Sequence, residues 1–312
     1  MKNGSFSVIF DFPPFVRVYK DGHTERIHKT EFIPPSFDPS TGVSSKDVVI
    51  NPETGLSARL YLPKVEKDSQ NKFPLLIYIH GGGFCIESAF SPTYHKYLNS
   101  LVAEANVVAV SVEYRKAPEH SLPIAYDDSW ASLQWVTFQS NDEEWLKNYV
   151  DFNKLFLAGD SAGANIAHNV AIRAGCEDLN GLKINGLVLV HPLFTGIEPI
   201  GAEVTNLNHL RAGKLWSVVC PSSTGSDDPF INPTKDPNLS RLGCKRVLVF
   251  VAERDQLRDR GWLYYEKLKE SGWNGVVEFM EAKGEKHVFH LINPTSENAG
   301  DLMKRVVSFL NT

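Results

Sequence analysis

Five short, almost wholly apolar runs recur along the chain: Leu75 to Ile79, Val107 to Val112, Leu155 to Ala158, Leu187 to Val190 and Val247 to Ala252. They lack the polar/apolar alternation of a half-buried strand, so both faces of each must be covered. Helix-like stretches lie between them, at about Tyr94 to Glu104, Tyr126 to Gln139, Ala162 to Ala174 and Arg258 to Glu270, with a last one near Glu297 to Leu310. Strands alternating with helices predict an α/β protein with a mainly parallel central sheet covered by helices. In such sheets ligands sit beyond the carboxyl ends of the strands, which directs attention to the residues just after each run.

The chain of 312 residues has room for one large domain or two small ones, and 42% hydrophobic with 22% charged residues describes an ordinary globular composition. A net charge of -5 and the lack of a dense Lys/Arg cluster argue against nucleic acid as a partner. Cys85, Cys176, Cys220 and Cys244 are far apart with no CxxC pair, so neither a metal site nor a disulfide framework is expected. The run Val8-Ile9-Phe10 is too short for a signal-peptide core, and no stretch approaches the roughly 18 apolar residues of a membrane span. The expectation is a cytoplasmic protein without membrane association, with a nuclear share left open.

The first forty-odd residues carry Pro13-Pro14 and Pro34-Pro35 and keep to no single period, as expected of an irregular arm packed over something else. Asp47 to Ile50 and Ala58 to Leu62 then read as a hairpin joined by Asn51-Pro52-Glu53-Thr54-Gly55, followed by a polar segment from Lys64 to Lys72.

Directly after Leu155 to Ala158 stands Gly159-Asp160-Ser161-Ala162-Gly163. This GxSxG pattern fits a serine on a tight strand-to-helix turn, with the helix amides aimed at any oxyanion formed there. Alone the pattern is weak, since Gly and Ser are common. The context comes from His80-Gly81-Gly82-Gly83-Phe84 after the run ending at Ile79, where consecutive glycines can turn several N–H groups toward one point. A phosphate-binding loop is the rival reading, but neither GxGxxG nor a GK[ST] ending is present.

A serine nucleophile needs a base, and the base needs an orienting carboxylate. In elbow-type enzymes the chain order is Ser, acid, His. Asp255 follows the run ending at Ala252, and His287 follows the run Val276 to Met280, so Ser161, Asp255 and His287 fit that order. Glu253 is the rival acid, while Asp259 falls inside the next helix. His290 and His168 read as helix residues, and His191, ending another strand, as a candidate for the pocket wall.

HGGGF at 80 to 84, SVEYRKAPEHSLPIAYDD at 111 to 128, GDSAGAN at 159 to 165, AERDQLRDRG at 252 to 261 and GEKHVF at 284 to 289 together resemble the plant carboxylesterases. These belong to the hormone-sensitive-lipase-like branch of the α/β-hydrolases. The likeness runs over nearly the whole chain, including FPPFVRVYKDGHTER near its start. It implies a single α/β-hydrolase domain, 1 to 312, whose active site is capped by residues 1 to 44 and 194 to 230.

The resemblance implies a triad of Ser161, Asp255 and His287. Gly82, Gly83 and Ala162 would supply the oxyanion amides, with Gly81 shaping their loop, and Phe84, Trp216 and His191 would contact substrate. It further implies a serine carboxylesterase for small-molecule esters, with no metal or organic cofactor, acting as a monomer or homodimer. Two relatives of the same fold set alternatives. One is a lyase or cyclase of plant specialised metabolism, as in the 2-hydroxyisoflavanone dehydratases, the best known of which carry Thr at the position of Ser161. The other is a gibberellin-receptor-like binding protein, which replaces the histidine that this chain keeps as His287.

Overall fold

The computed structural model describes residues 7–13, 15–66, 72–138, 142–179, 181–205 and 209–312. Residues 1–6 and Pro14 of the expected arm, 67–71 of the polar segment, Gln139 at an expected helix end and 206–208 of the expected cap insertion lie outside them.

Three short strands come first, Val8–Phe12 (β1), Val16–Tyr19 (β2) and Thr24–Arg26 (β3), and pair antiparallel as a small sheet of their own. The arm is therefore more regular than its prolines suggest, because its three strands bond to one another across short turns. Phe37–Asp38 (β4), Val43–Asn51 (β5) and Leu56–Leu62 (β6) form the antiparallel flank of a second, larger sheet. The expected hairpin is present as β5 and β6, with longer arms than the sequence indicated.

Phe73–Ile79 (β7), Val108–Glu113 (β8), Val150–Asp160 (β9), Ile184–Val190 (β10), Cys244–Ala252 (β11) and Val276–Ala282 (β12) complete that sheet. They pair parallel in the order β12-β11-β10-β9-β7-β8, and β6-β5-β4 continues it antiparallel. Each apolar run thus sits inside a strand buried on both faces. In β7, Leu75, Ile77 and Ile79 belong to one core and Leu76 and Tyr78 to the other.

Eight α-helices are described: Pro92–Ala105 (α1), Ile124–Phe138 (α2), Glu144–Tyr149 (α3), Ala162–Ala174 (α4), His209–Val219 (α5), Arg258–Glu270 (α6), Phe289–Ile292 (α7) and Glu297–Leu310 (α8). One core packs Leu133 of α2, Ile166 of α4 and Tyr264 of α6 on the sheet, and the other packs Leu98 of α1 and Leu302 of α8. Local chemistry starts the outer helices. Ser91 caps α1 by accepting from the Tyr94 N–H, and Ser296 caps α8 by accepting from the Ala299 N–H. Every residue of α4 from Ala162 to Ile172 is buried, which its small residues Gly163, Ala164, Ala167 and Ala171 permit. The helix therefore lies deep in the molecule with its N-terminus at Ser161. Among the described residues no helix is long and apolar enough to cross a membrane.

Candidate active site

Ser161 sits between β9 and α4 with φ 53° and ψ −118°, a backbone conformation that side-chain-bearing residues rarely adopt. The turn is tight enough to exclude a Cβ at both glycines. One built on Gly159 would lie 2.5 Å from the Gly163 carbonyl, and one on Gly163 would overlap the carbonyl oxygens of Ile79 and His80. The segment after β10 holds the strained serine from both sides. The Ser161 N–H donates to the Val190 carbonyl at 2.9 Å, and the Leu193 N–H donates to the Ser161 carbonyl at 3.0 Å.

His287 reaches Ser161 from the loop between β12 and α7. Its Nε2 lies 2.9 Å from Ser161 Oγ, and its Nδ1 lies 2.6 Å from Asp255 Oδ2. Asp255 is buried and receives the Leu257 N–H on its other oxygen at 2.9 Å. A carboxylate on Nδ1 keeps the proton there and leaves Nε2 free to accept. Burial opposes charge on His287, but attraction and hydrogen bonding to Asp255 outweigh it and raise the pKa above the ordinary 6.5. The two loops are tied together: Arg254 N–H donates to the Glu285 carbonyl at 2.8 Å, and Gly284 N–H donates to Glu253 at 2.7 Å. Glu253, the rival acid, thus braces the loop. Asp259 accepts from the Ala202 N–H at 2.7 Å, and His168 is buried against the Tyr264 hydroxyl.

The glycine loop faces the same point. Gly82 (φ 104°) and Gly83 (φ 60°) line the cavity with Ser161, and their N–H groups take no hydrogen bond among the described residues. The Gly81 N–H is turned instead to the Tyr94 hydroxyl at 2.8 Å, and Tyr94 donates to Asp160 at 2.9 Å. Asp160 also accepts from Tyr78 at 2.8 Å, and its burial pushes its pKa up to about 6 despite both bonds. Beneath the loop His80 stacks on Tyr114 with centroids 4.3 Å apart and bonds the Gly81 carbonyl through Nδ1 at 2.7 Å. Burial lowers the His80 pKa to about 4, so this ring is a neutral strut.

The cavity over Ser161 measures about 380 Å³. Its apolar wall includes Phe12 and Phe15 of the arm, Leu215 of α5, and Leu257 and Leu291. Arg211 of α5 joins two of these parts: its guanidinium lies 4.9 Å from the Phe12 ring and donates to the Pro13 carbonyl at 2.7 Å.

The expected substrate contacts need correction. Phe84, Trp216 and His191 are each 1% exposed and do not line this cavity. Phe84 has φ 63°, which turns its ring into the core against Tyr126 and Trp216. Trp216 donates its indole N–H to Ser223, and His191 lies behind His287. Conversely, sequence reasoning assigned no role to Asp160, Tyr94 or Tyr114, although Asp160 stands inside the quoted GDSAGAN motif and Tyr114 inside SVEYRKAPEH.

Among the described residues one group, His191, Asp255 and His287, brings metal-ligating atoms within 4.8 Å of one another. Two of its members are the hydrogen-bonded pair beside Ser161, and the third accepts the Val288 N–H. Apart from His191 Nε2, which is buried with no hydrogen-bond partner among the described residues, their donor atoms are thus engaged with protein groups.

A family model described as alpha/beta hydrolase fold matches residues 76–291, and a carboxylesterase family model matches 24–118. A probable carboxylesterase of Arabidopsis thaliana (carboxylesterase 2) is 48% identical, covering 100% of this chain and 99% of its own. The chain belongs to the plant carboxylesterase and 2-hydroxyisoflavanone dehydratase family of α/β hydrolases. A 2-hydroxyisoflavanone dehydratase of Glycyrrhiza echinata is equally similar to this family member, at 48% identity over 96% of this chain and 95% of its own. Among solved structures, an esterase of the archaeon Pyrobaculum calidifontis aligns with TM-score 0.69 at 28% identity, covering 86% of this chain and 85% of its own. The esterase LipW of Mycobacterium marinum aligns with TM-score 0.74 at 25% identity, covering 87% and 82%. The α/β-hydrolase fold expected from the sequence is thus the fold of the family.

Proposed function

We propose that this chain is a serine carboxylesterase that hydrolyses small, uncharged esters through an acyl-enzyme. The observation that carries the reading is the hydrogen-bonded line from Ser161 Oγ through His287 to Asp255, set opposite the unengaged amides of Gly82 and Gly83. His287 Nε2 takes the Ser161 proton as Oγ attacks the ester carbonyl, and Asp255 fixes the ring and stabilises the imidazolium. The Gly82, Gly83 and Ala162 amides receive the developing oxyanion. His287 then protonates the departing alcohol, and a water molecule repeats the cycle on the acyl-enzyme to release the acid.

The mostly apolar cavity supports neutral substrates, and its walls support residues 1 to 44 and 194 to 230 as cap segments of a single domain. In the decisive experiment, Ser161→Ala lowers kcat for p-nitrophenyl acetate by about 10⁴-fold or more. Retention of near wild-type turnover would overturn the assignment.

The likeness to a dehydratase supports a second reading, in which His287 abstracts a proton from a substrate that then eliminates water. An organophosphate separates the two. Covalent labelling at Ser161 together with hydrolysis of simple acyl esters supports the esterase, and the absence of both supports the lyase. The intact His287 pair weighs against a receptor without turnover.

A further inference from the structure

His191 was expected on the pocket wall and lies behind it. Its position is unusual for a buried residue: φ is 49°, in the left-handed region, and the ring is closed in by Phe250, Phe289 and the imidazoles of His287 and His290. Its Nδ1 accepts the backbone N–H of Val288 at 2.9 Å. Val288 directly follows His287 and is itself left-handed, with φ 48° and ψ 33°. For a β-branched residue that conformation persists only where surrounding contacts impose it.

The segment that carries His191 also fixes the nucleophile. Val190 and Leu193 accept from and donate to the backbone of Ser161, and the Leu193 carbonyl accepts the side-chain amide of Asn165 at 3.2 Å. Residues 190 to 193 therefore grip the serine turn with main-chain bonds and the histidine loop with one imidazole. We propose that His191 is a positioning residue that sets the distance between Ser161 Oγ and His287 Nε2 by holding the Val288 amide. This rests on the esterase reading of the site.

The chemistry suits the task. Because Nδ1 accepts from Val288, the single proton of the neutral ring sits on Nε2. Charging the ring would put a second N–H against the Val288 N–H and break the hold. Burial, together with His290 and His287 beside it, keeps His191 far below the ordinary imidazole range, so it stays neutral while His287 takes and gives its proton.

Two substitutions separate the hydrogen bond from mere filling of space. The Oδ1 of asparagine falls where Nδ1 of histidine lies, and asparagine accepts left-handed backbone more readily than most residues. Phenylalanine fills the volume but offers no acceptor. His191→Phe is expected to lower kcat for p-nitrophenyl acetate by about 10²-fold, the scale of a misplacement near 1 Å, with KM within about twofold. His191→Asn should recover most of that rate.

The second-order rate of Ser161 phosphorylation by diethyl p-nitrophenyl phosphate should fall and recover in parallel, since it reads the Ser–His couple without turnover. If His191→Phe fails to fold, His191→Gln replaces it, because its amide oxygen reaches one atom too far to meet Val288. Equal kcat in the Phe and wild-type proteins overturns the proposal, as does an Asn variant as slow as the Phe variant. Wild-type protein that neither hydrolyses the ester nor reacts with the phosphate would instead overturn the esterase reading.

Discussion

A serine held at φ 53° stores strain that only its surroundings can sustain, and here the same turn that strains Ser161 presents its Oγ to His287 Nε2 at 2.9 Å. The electrostatics beside it are asymmetric. Asp255 pulls the His287 pKa above 6.5, whereas burial holds His80, His168 and His290 well below it, at about 4, 3 and 3. Only the unprotonated His287 accepts the serine proton, so kcat/KM for p-nitrophenyl acetate is expected to rise with pH through a single limb centred above 6.5 and then level off. The same raised pKa works in the opposite direction on stability. The contribution of protonated His287 is complete below pH 6.5 and is lost as pH climbs through its folded value. Asp255→Asn removes the cause of the shift, and a pH-rate profile should show the limb moving down in pH while the plateau falls by about 10⁴-fold. Ser161, Asp255 and His287 were legible in the sequence because each lies in the segment that follows a strand, in the order Ser, acid, His. Phe84 and Trp216 were misjudged because the direction of a side chain depends on a backbone torsion and on packing that no motif encodes.

At the scale of elements, α4 was expected at Ala162 to Ala174 and has those bounds, since Gly159, Gly163 and the run of small residues mark a helix forced close to a strand. The strand cores were equally legible, because an apolar run without alternation has only one way to be buried. Short elements were not. β1 to β4 have five residues or fewer and α7 has four, too few to complete a recognisable period. The closeness of α4 to β7 has a direct test. Gly163→Ala places a methyl group against the carbonyls of Ile79, at the end of β7, and of His80, at the start of the glycine loop, so backbone must shift to admit it. The expected loss is about 3 kcal/mol, read as a lower urea midpoint, with the oxyanion loop displaced and activity reduced. Gly300→Ala on α8, where a Cβ would meet nothing within 4 Å, should leave the midpoint unchanged or slightly raised.

Across the whole molecule, the arm reaches the site from a distance in sequence and is held by core packing of Phe12 and Val16 together with polar groups. Arg26 donates to the Cys85 carbonyl at 2.8 Å and to both carboxylate oxygens of Glu119 at 2.7 and 2.6 Å, fastening the arm beside the oxyanion loop. Arg26→Ala loosens the wall that Phe12 and Phe15 provide. The expected result is a rise of roughly fivefold in KM for p-nitrophenyl butyrate, about 1 kcal/mol of lost binding, with kcat changed less. A comparison of acetate and butyrate esters in the variant checks it, since the smaller acyl group depends less on that wall. Such long-range closure was the least legible part of the sequence, because it needs the path of the chain and not its pattern.

The clamp at residues 190 to 193 leads directly into the segment that roofs the cavity. The roof is itself rooted in the core, since Trp216 packs on Phe84 of the glycine loop and the Phe230 carbonyl accepts the Asn165 side-chain amide at 2.8 Å, whereas Ala212 and Leu215 face the cavity. Replacing the cavity-facing residues of α5 while keeping Trp216 and Phe230 is therefore the way to reshape the pocket without disturbing the serine turn. A library confined to Ala212 and Leu215 should yield many altered selectivities per inactive clone, and one that varies Trp216 or crosses Pro192 should yield few.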